Sequence, residues 1–120
     1  MAADNAQASF RRGVMSLVIL ALLKREDMYG YQICQLMEEK SDGRFTILEG
    51  SLYLILYKLV EMEYLTTYTK VQVGKRMTRV YYHLEPTGEA RLLELIREYE
   101  ETAQGVFQII REEGDTDGQS

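Results

Sequence analysis

A mostly α-helical fold, in which a β-hairpin separates three short helices from one long helix, is predicted by three features of the sequence. Apolar residues recur at helical spacing in four separate segments. Two runs rich in Thr, Val and Tyr flank Gly74-Lys75-Arg76, the pattern of a hairpin with a basic tip. Pro86 then opens a long amphipathic segment. This order of elements is that of a winged helix-turn-helix with a two-stranded wing and a long C-terminal helix.

The first helix is predicted over Ser9 to Lys24, because apolar side chains there recur three and four residues apart and form one broad apolar face. Residues 1–8 are small and polar without a period, and we expect a flexible arm. Arg11 and Arg12, before the apolar run from Val14 to Leu23, imitate a secretion signal. The run is far shorter than the roughly 20 residues that span a bilayer, and no small-residue cleavage site follows. The prediction is a buried helix and no membrane partner.

The second helix is predicted from about Tyr29 to Lys40. The segment before it breaks the apolar period, and Asp27 is a plausible N-cap because its carboxylate can accept hydrogen bonds from the first turn. Ser41-Asp42-Gly43 marks the end of the helix. The side chains expected to face inward are Ile33, Leu36 and Met37.

The third helix is predicted over Glu49 to Met62, with two possible starts. Thr46 and Glu49 fit a capping box, whereas the apolar pattern fits a start nearer Leu48. At about 100° per residue, the inward stripe consists of Leu52, Ile55, Leu56 and Leu59. The opposite face is aromatic and hydroxylic rather than simply charged, and it carries Gly50, Ser51, Tyr53, Leu54, Tyr57, Lys58 and Glu61.

Two strands and a last helix complete the chain. The strands are predicted over Leu65 to Val73 and Met77 to Leu84. The helix follows Pro86, with Thr87 as its N-cap. Along it, apolar residues alternate spacings of four and three, which is typical of a coiled-coil seam, and they are Leu92, Ile96, Tyr99, Ala103, Val106 and Ile110. Residues 112–120 are strongly acidic and predict a disordered tail.

The counts of cysteine and histidine exclude several kinds of site. The 120 residues include one cysteine, Cys34, and one histidine, His83. An internal disulfide, a zinc finger and a histidine-based metal cluster are therefore excluded. The sequence shows no nucleophile–base pair and no phosphate loop, so we predict neither an enzyme nor a cofactor. The single cysteine suits a reducing cytoplasm.

The charge is unevenly distributed along the chain. The net charge is −5, which at first argues against nucleic acid. Residues 40–84, however, hold seven basic and four acidic side chains, a net charge of +3. Residues 85–120 hold three basic and ten acidic side chains, a net charge of −7. The cationic middle of the chain can therefore face a duplex while the acidic last helix faces away from it.

The predicted architecture places the candidate DNA contacts on two surfaces. In a winged helix-turn-helix the third helix enters the major groove, about 12 Å wide, and the wing contacts backbone or minor groove. The candidates on the third helix are Ser51, Tyr53, Leu54, Tyr57 and Lys58. The candidates on the wing are Lys70, Lys75, Arg76 and Arg79. The predicted organisation is thus a flexible arm over 1–8, a winged helix-turn-helix DNA-binding domain over 9–85, a dimerisation helix over 86–111 and a disordered acidic tail over 112–120.

Three blocks of residues narrow the fold to one family. They are Tyr29-Gly30-Tyr31-Gln32-Ile33, then Glu49-Gly50-Ser51-Leu52-Tyr53 with Leu56 and Leu59, then Tyr81-Tyr82-His83-Leu84 with Gly88. Together, in this order, they resemble the signature blocks of the PadR family of transcriptional regulators, over about residues 10–105. The single helix after the wing resembles the C-terminal region of the family's smaller subgroup. Two positions depart from the family pattern, because Leu54 stands where a proline is usual and Leu48-Glu49 where Ser-Pro is usual.

The resemblance implies a dimeric repressor in which the first and last helices build the dimer. The implied interface consists of Phe10, Val14 and Leu17 with the seam residues Leu92, Ile96, Tyr99, Ala103, Val106 and Ile110. It also implies a small hydrophobic or aromatic effector near that interface, for which the candidate pocket residues are Phe10, Met15, Tyr99 and Phe107. The predicted partners are double-stranded DNA with an inverted-repeat operator, a second copy of the chain and this effector. One alternative stays open: a winged-helix protein-interaction module whose acidic C-terminal helix and tail bind a basic partner.

Overall fold

The computed structural model describes the backbone of residues 2–74 and 77–119 and the side chains of residues 14–74 and 77–111. The predicted order of helices, hairpin and long final helix is confirmed. In chain order the elements are α1 (Ala2–Arg25), β1 (Met28–Tyr29), α2 (Gly30–Lys40), α3 (Glu49–Glu61), β2 (Leu65–Val71), β3 (Thr78–Leu84) and α4 (Pro86–Gln119).

The sheet has three strands, whereas the sequence predicts two. Its order is β1-β3-β2 and both pairings are antiparallel. In β1, Met28 lies opposite Tyr82 and Tyr29 lies opposite Tyr81. The prediction missed β1 because two residues are too few to show an alternating pattern. The extra strand joins the start of α2 directly to the hairpin.

Two helices are longer than predicted. α1 begins at Ala2 rather than Ser9, and α4 continues to Gln119 rather than ending near residue 111. Residues 2–8 contain alanine and glutamine and no proline, so local sequence does not stop the helix there. That residues 1–8 and 112–120 move freely in solution stays a prediction.

The start of α2 is capped differently from the prediction. The N-cap is Tyr29, whose backbone N–H donates to Oε1 of Gln32 at 3.1 Å. Asp27 lies two residues further back, because β1 intervenes, and its carboxylate binds Tyr68 and His83 instead. The prediction of Asp27 as the cap was therefore wrong.

The start of α4 is fixed against the turn that follows α3. The hydroxyl of Thr87, which the sequence predicts as an N-cap, instead donates to the carbonyl oxygen of Glu63 at 2.6 Å. The backbone N–H of Glu85 donates to the carbonyl oxygen of Tyr64 at 3.0 Å. A β-carbon on Gly88 would collide with that same carbonyl, so only glycine allows this approach.

The hydrophobic core lies where α1, α2 and α3 meet the sheet and the start of α4. It fixes α3 through one face and leaves the opposite face outward. Ile55 and Leu36, both predicted to face inward, are only partly buried against it. The buried side chains are Met15, Ile19, Leu20, Leu22, Leu23, Met28, Ile33, Met37, Leu52, Leu56, Leu59, Leu65 and Leu92.

Candidate nucleic-acid interface

Helix α3 separates a buried stripe from an exposed face. Leu52, Leu56 and Leu59 are buried, as the apolar period predicts. On the other side, Leu54 is 70% exposed and Tyr57 is 68% exposed. Ser51, Tyr53 and Lys58 are exposed on the same outer part of the helix. The five α3 candidates are thus accessible to a partner while the helix stays anchored.

Tyr53 differs from the other candidates because its ring packs over the start of α2. A β-carbon on Gly30 would lie 2.6 Å from the Tyr53 hydroxyl oxygen and 2.9 Å from two ring carbons. Partial burial raises the pKa of the Tyr53 phenol, and the nearby Glu49 carboxylate raises it further. The hydroxyl therefore stays protonated and available as a hydrogen-bond donor at neutral pH.

The wing cations Arg79 and Lys70 lie against a row of three tyrosines on the outer face of the sheet. The Arg79 guanidinium carbon is 4.3 Å from the ring centroid of Tyr29, and Lys70 Nζ is 5.6 Å from that of Tyr81. The ring of Tyr81 is stacked on that of Tyr68, with centroids 5.5 Å apart. The rings of Tyr81 and Tyr29 pack edge to face, and their centroids are also 5.5 Å apart. Cation–π contacts of this kind hold the charge on the face of the sheet. Nε of Arg79 is buried without a hydrogen-bond partner in the described part of the chain.

A carboxylate, an imidazole and a phenol meet at the end of the sheet near α2. Asp27 Oδ1 lies 2.8 Å from His83 Nδ1, and Tyr68 donates its hydroxyl to Asp27 Oδ2 at 2.8 Å. On the other side of the ring, His83 Nε2 is 3.5 Å from Glu85 Oε2. The hydroxyl of Thr66 donates to this same Glu85 oxygen at 3.2 Å. We call these five residues the Asp27 cluster.

Three predicted site residues lie outside the residues whose side chains are described. They are Lys75 and Arg76 at the wing tip and Phe10 on α1. Gly74, just before the tip, has a φ of +78°, which suits glycine at a hairpin turn. The contacts of the wing tip with DNA therefore stay a prediction.

The predicted dimer seam on α4 is exposed along most of its length. Ile96, Tyr99, Val106 and Ile110 are exposed, and Ala103, like Val14 and Leu17 on α1, is partly buried. Leu92 is only 2% exposed because it packs into the core of its own chain. Its prediction as an interface residue was wrong, since heptad spacing does not distinguish a seam within one chain from a seam between two.

A groove of about 490 Å³ runs between α1 and α4. Of the predicted effector-pocket residues, Tyr99 and Phe107 line it. Met15 does not line it, because its side chain points into the core and is 5% exposed. We call this the α1–α4 groove, and its lining residues are Val14, Leu17, Leu95, Glu98, Tyr99, Thr102, Ala103, Val106 and Phe107.

The sequence assigns no partner to His83 and predicts Tyr29 only as the start of a helix, so the interactions of both residues were missed. The available signal was the alternation of Arg79, Tyr81 and His83 along β3, which places all three on one face. Their partners, Tyr29 on β1 and Asp27 just before it, could not be found without the register of that strand. Among the described residues, no group of three His, Cys, Asp or Glu side chains could hold a metal ion. None of the helices, over the range described, is long and apolar enough to cross a bilayer.

Comparison with known proteins identifies similar sequences and folds. Residues 19–94 match the family described as the transcriptional regulator PadR-like family. An uncharacterized protein of Lysinibacillus sphaericus is 33% identical over 90 residues, which cover 75% of this chain and 82% of that protein.

Solved structures match as well. A transcriptional regulator from Clostridium thermocellum superposes with a TM-score of 0.76 and 28% identity, over 83% of this chain and 96% of its own. Bacillus subtilis PadR, solved in complex with operator DNA, superposes with a TM-score of 0.64 and 25% identity, over 69% of this chain and 46% of its own.

Proposed function

The chain belongs to the PadR-like family of transcriptional regulators, and from this premise we propose that it is a homodimeric, sequence-specific DNA-binding repressor of the cytoplasm. Its operator is an inverted repeat in double-stranded DNA. A small hydrophobic or aromatic molecule releases it from that operator.

One observation carries the DNA-binding part of the proposal. Helix α3 is anchored through Leu52, Leu56 and Leu59, and it exposes phenol, hydroxyl, ammonium and apolar groups on the other side. Such a face offers donors for base edges and an apolar contact, from Leu54, for a thymine methyl group. Arg79 and Lys70 supply positive charge beside it for phosphate contacts, which position the protein without reading sequence. The complex of Bacillus subtilis PadR with operator DNA supports the same role for the matching fold here.

The dimer is supported by the apolar side chains that α4 leaves exposed. Ile96, Tyr99, Val106 and Ile110 lie along one side of the helix, next to the α1–α4 groove. An exposed apolar stripe of this length marks an interaction site. Burying it against the same stripe of a second copy satisfies two-fold symmetry.

The effector is supported by the size and lining of the α1–α4 groove. Its volume of about 490 Å³ falls within the range of small-molecule pockets, and its lining is mostly apolar with two aromatic rings. Because the groove touches the residues proposed for the dimer, a bound molecule would change the angle between the two copies. That change would move the two α3 helices out of register with the operator.

The test is a selection of bound duplexes from random-sequence DNA by the full-length chain. We expect enrichment of an inverted repeat whose half-sites are centred about 34–36 Å apart, one helical turn. Lys58→Ala should weaken binding to the selected sequence, while Lys24→Ala on α1 serves as the matched control. No enrichment over the starting pool would refute sequence-specific binding.

A second candidate function is a protein-interaction module. The observation that favours it is the run of exposed carboxylates on α4, which includes Glu94, Glu98, Glu100 and Glu101. Under this alternative the chain forms a stable complex with a basic protein segment and shows no preference among duplexes. The same selection therefore separates the two functions.

A further inference from the structure

The Asp27 cluster joins three parts of the chain through a few polar groups. Asp27 lies in the turn before β1 and α2, and its two carboxylate oxygens reach His83 on β3 and Tyr68 on β2, each at 2.8 Å. A single carboxylate thus connects the turn that leads into α2 with both strands of the hairpin. None of the DNA contacts proposed above uses these groups.

The two ring nitrogens of His83 both face carboxylate oxygens. Nδ1 lies 2.8 Å from Asp27, and Nε2 lies 3.5 Å from Glu85. A neutral imidazole carries one N–H and can donate to only one of these partners, leaving a lone pair facing the other. A protonated ring donates to Asp27 and also places an N–H and positive charge toward the Glu85 carboxylate. The geometry therefore fits the imidazolium better than the neutral ring.

The charges around His83 favour the same protonation state. The hydrogen bond to Asp27 raises the pKa of His83 above its ordinary value of 6.5; partial burial opposes this, and the charges of Asp27 and Glu85 add to it. Burial raises the pKa of Asp27, but its hydrogen bonds with His83 and Tyr68 outweigh burial and lower that pKa overall. In the described part of the chain, Asp27 and Glu85 are the charged groups that act on His83, and Tyr68 reaches it through Asp27.

We propose that the Asp27 cluster is a proton-operated clip that holds the wing against the start of α2. With His83 protonated, the ring bridges Asp27 and Glu85 and fixes the hairpin. With His83 neutral, the hydrogen bond to Asp27 loses the positive charge of its donor and the attraction to Glu85 is lost, so the hairpin is held less firmly.

The consequence for DNA affinity rests on the proposed function. The hairpin carries Lys70 and Arg79, and the turn at Asp27 leads into α2, on which α3 packs. The clip therefore sets the position of the wing cations relative to α3. Operator affinity should be higher below the pKa of His83 and should fall as the pH rises through it.

The first test needs no DNA. Because His83 is the single histidine of the chain, its ring protons can be followed by NMR titration without assignment ambiguity. We expect a midpoint above 6.5 in the full-length protein and a lower midpoint in the variants Asp27→Asn and Glu85→Gln. Amide hydrogen exchange in β2 and β3, corrected for intrinsic rates, should be slower at about pH 6 than at about pH 8 in the wild type but not in His83→Gln. A wild-type midpoint at or below 6.5 would overturn the clip. Amide hydrogen exchange in β2 and β3 that does not depend on the protonation of His83 would overturn it as well.

The second test measures affinity for a duplex that the protein has selected from random DNA. Wild type should bind about two- to five-fold more tightly at pH 6 than at pH 8, the range that a half-exposed ion pair supports. His83→Gln, a neutral side chain that takes up no proton, should bind equally at both pH values. If the hairpin responds to pH but the affinity does not, the link to DNA is refuted and the clip stands. If the protein selects no duplex at all, the proposed DNA-binding function is refuted. The NMR titration and the hydrogen-exchange experiment need no DNA, so they still test whether the clip exists.

Discussion

The ring of Tyr53 occupies the space that a side chain on Gly30 would need, since a β-carbon at Gly30 would lie 2.6 Å from the Tyr53 hydroxyl. This contact ties the first residue of α2 to the outward face of α3. It brings the block around Tyr29-Gly30 and the block from Gly50 to Tyr53 into contact in the structure.

Gly30→Ala should fold, because Gly30 is helical and the atoms it meets are the far end of a side chain that can turn away. The substitution should instead weaken operator binding, because the added methyl group displaces the ring of Tyr53 from its position on α3. A double-mutant cycle tests this: Gly30→Ala should reduce affinity in the wild type but not in Tyr53→Ala, with a coupling of about 0.5–3 kcal/mol. Additive effects of the two substitutions would contradict a shared role in DNA binding.

The difference in Tm between His83→Gln and wild type should depend on pH. A group whose pKa is raised on folding stabilises the folded state fully below its unfolded value of 6.5, and this contribution is lost as the pH rises through the raised value. Asp27, whose pKa is lowered, contributes above its unfolded value of 3.8, so it stays ionised throughout this window. The Tm of His83→Gln should therefore fall below that of wild type at about pH 6 and approach it at about pH 9. A constant Tm difference across this range would show that protonation of His83 does not stabilise the fold.

Disrupting the proposed dimer seam should yield monomers. Ile96→Glu combined with Val106→Glu places two charges on the exposed apolar side of α4, and a buried, unpaired carboxylate costs several kcal/mol. Gln104→Glu with Gln108→Glu is the control, because it adds the same charge on the opposite side of the helix at about 100° per residue. Sedimentation equilibrium should give half the wild-type mass for the seam variant alone. A dimer of unchanged mass in the seam variant would exclude this stripe as the interface.

Arg79→Ala should flatten the salt dependence of DNA binding. About seven phosphate contacts in a dimer predict a slope of log K against log salt near −6, and each lost contact reduces it by about 0.9. Two copies of Arg79→Ala should therefore change the slope by about 1.8, and random duplexes should be weakened as much as the operator. Arg111→Ala, on α4, should leave the slope unchanged. An unaltered slope in Arg79→Ala would mean that this cation stacks on Tyr29 without reaching a phosphate.

The fold could be predicted from the sequence because each long element carries its own period. Leu52, Leu56 and Leu59 recur at helical spacing, and the strands on either side of Gly74 are rich in β-branched residues. The element ends were less predictable. Thr87 has the chemistry of an N-cap, but the neighbouring turn supplies a carbonyl that its hydroxyl binds instead.

Only the part of the candidate site that lies on a single helix could be predicted from the sequence. The exposed face of α3 needs no tertiary information, since it is the side opposite the apolar stripe. The pairing of Asp27 with His83 spans 56 residues and depends on β1, whose two residues show no pattern. Leu92 fits the heptad seam as well as Ile96 does, and only packing shows that the first is buried within the chain and the second is not.

Sequence discrimination should reside on the outer face of α3. Tyr57→Ala and Lys58→Ala should leave Tm unchanged, because both side chains are exposed and lie away from the buried stripe. Each should cost about 1–3 kcal/mol on the selected operator if it contacts a base, and much less on random DNA. Leu54→Ser should reduce preference at one base pair only, since an apolar side chain distinguishes thymine by its methyl group. Lys24→Ala, which removes a cation on α1 paired with Glu89 at the start of α4, controls for net charge. If the α3 substitutions lower Tm and leave the ratio of operator to random affinity unchanged, this face is structural, and another element reads the DNA.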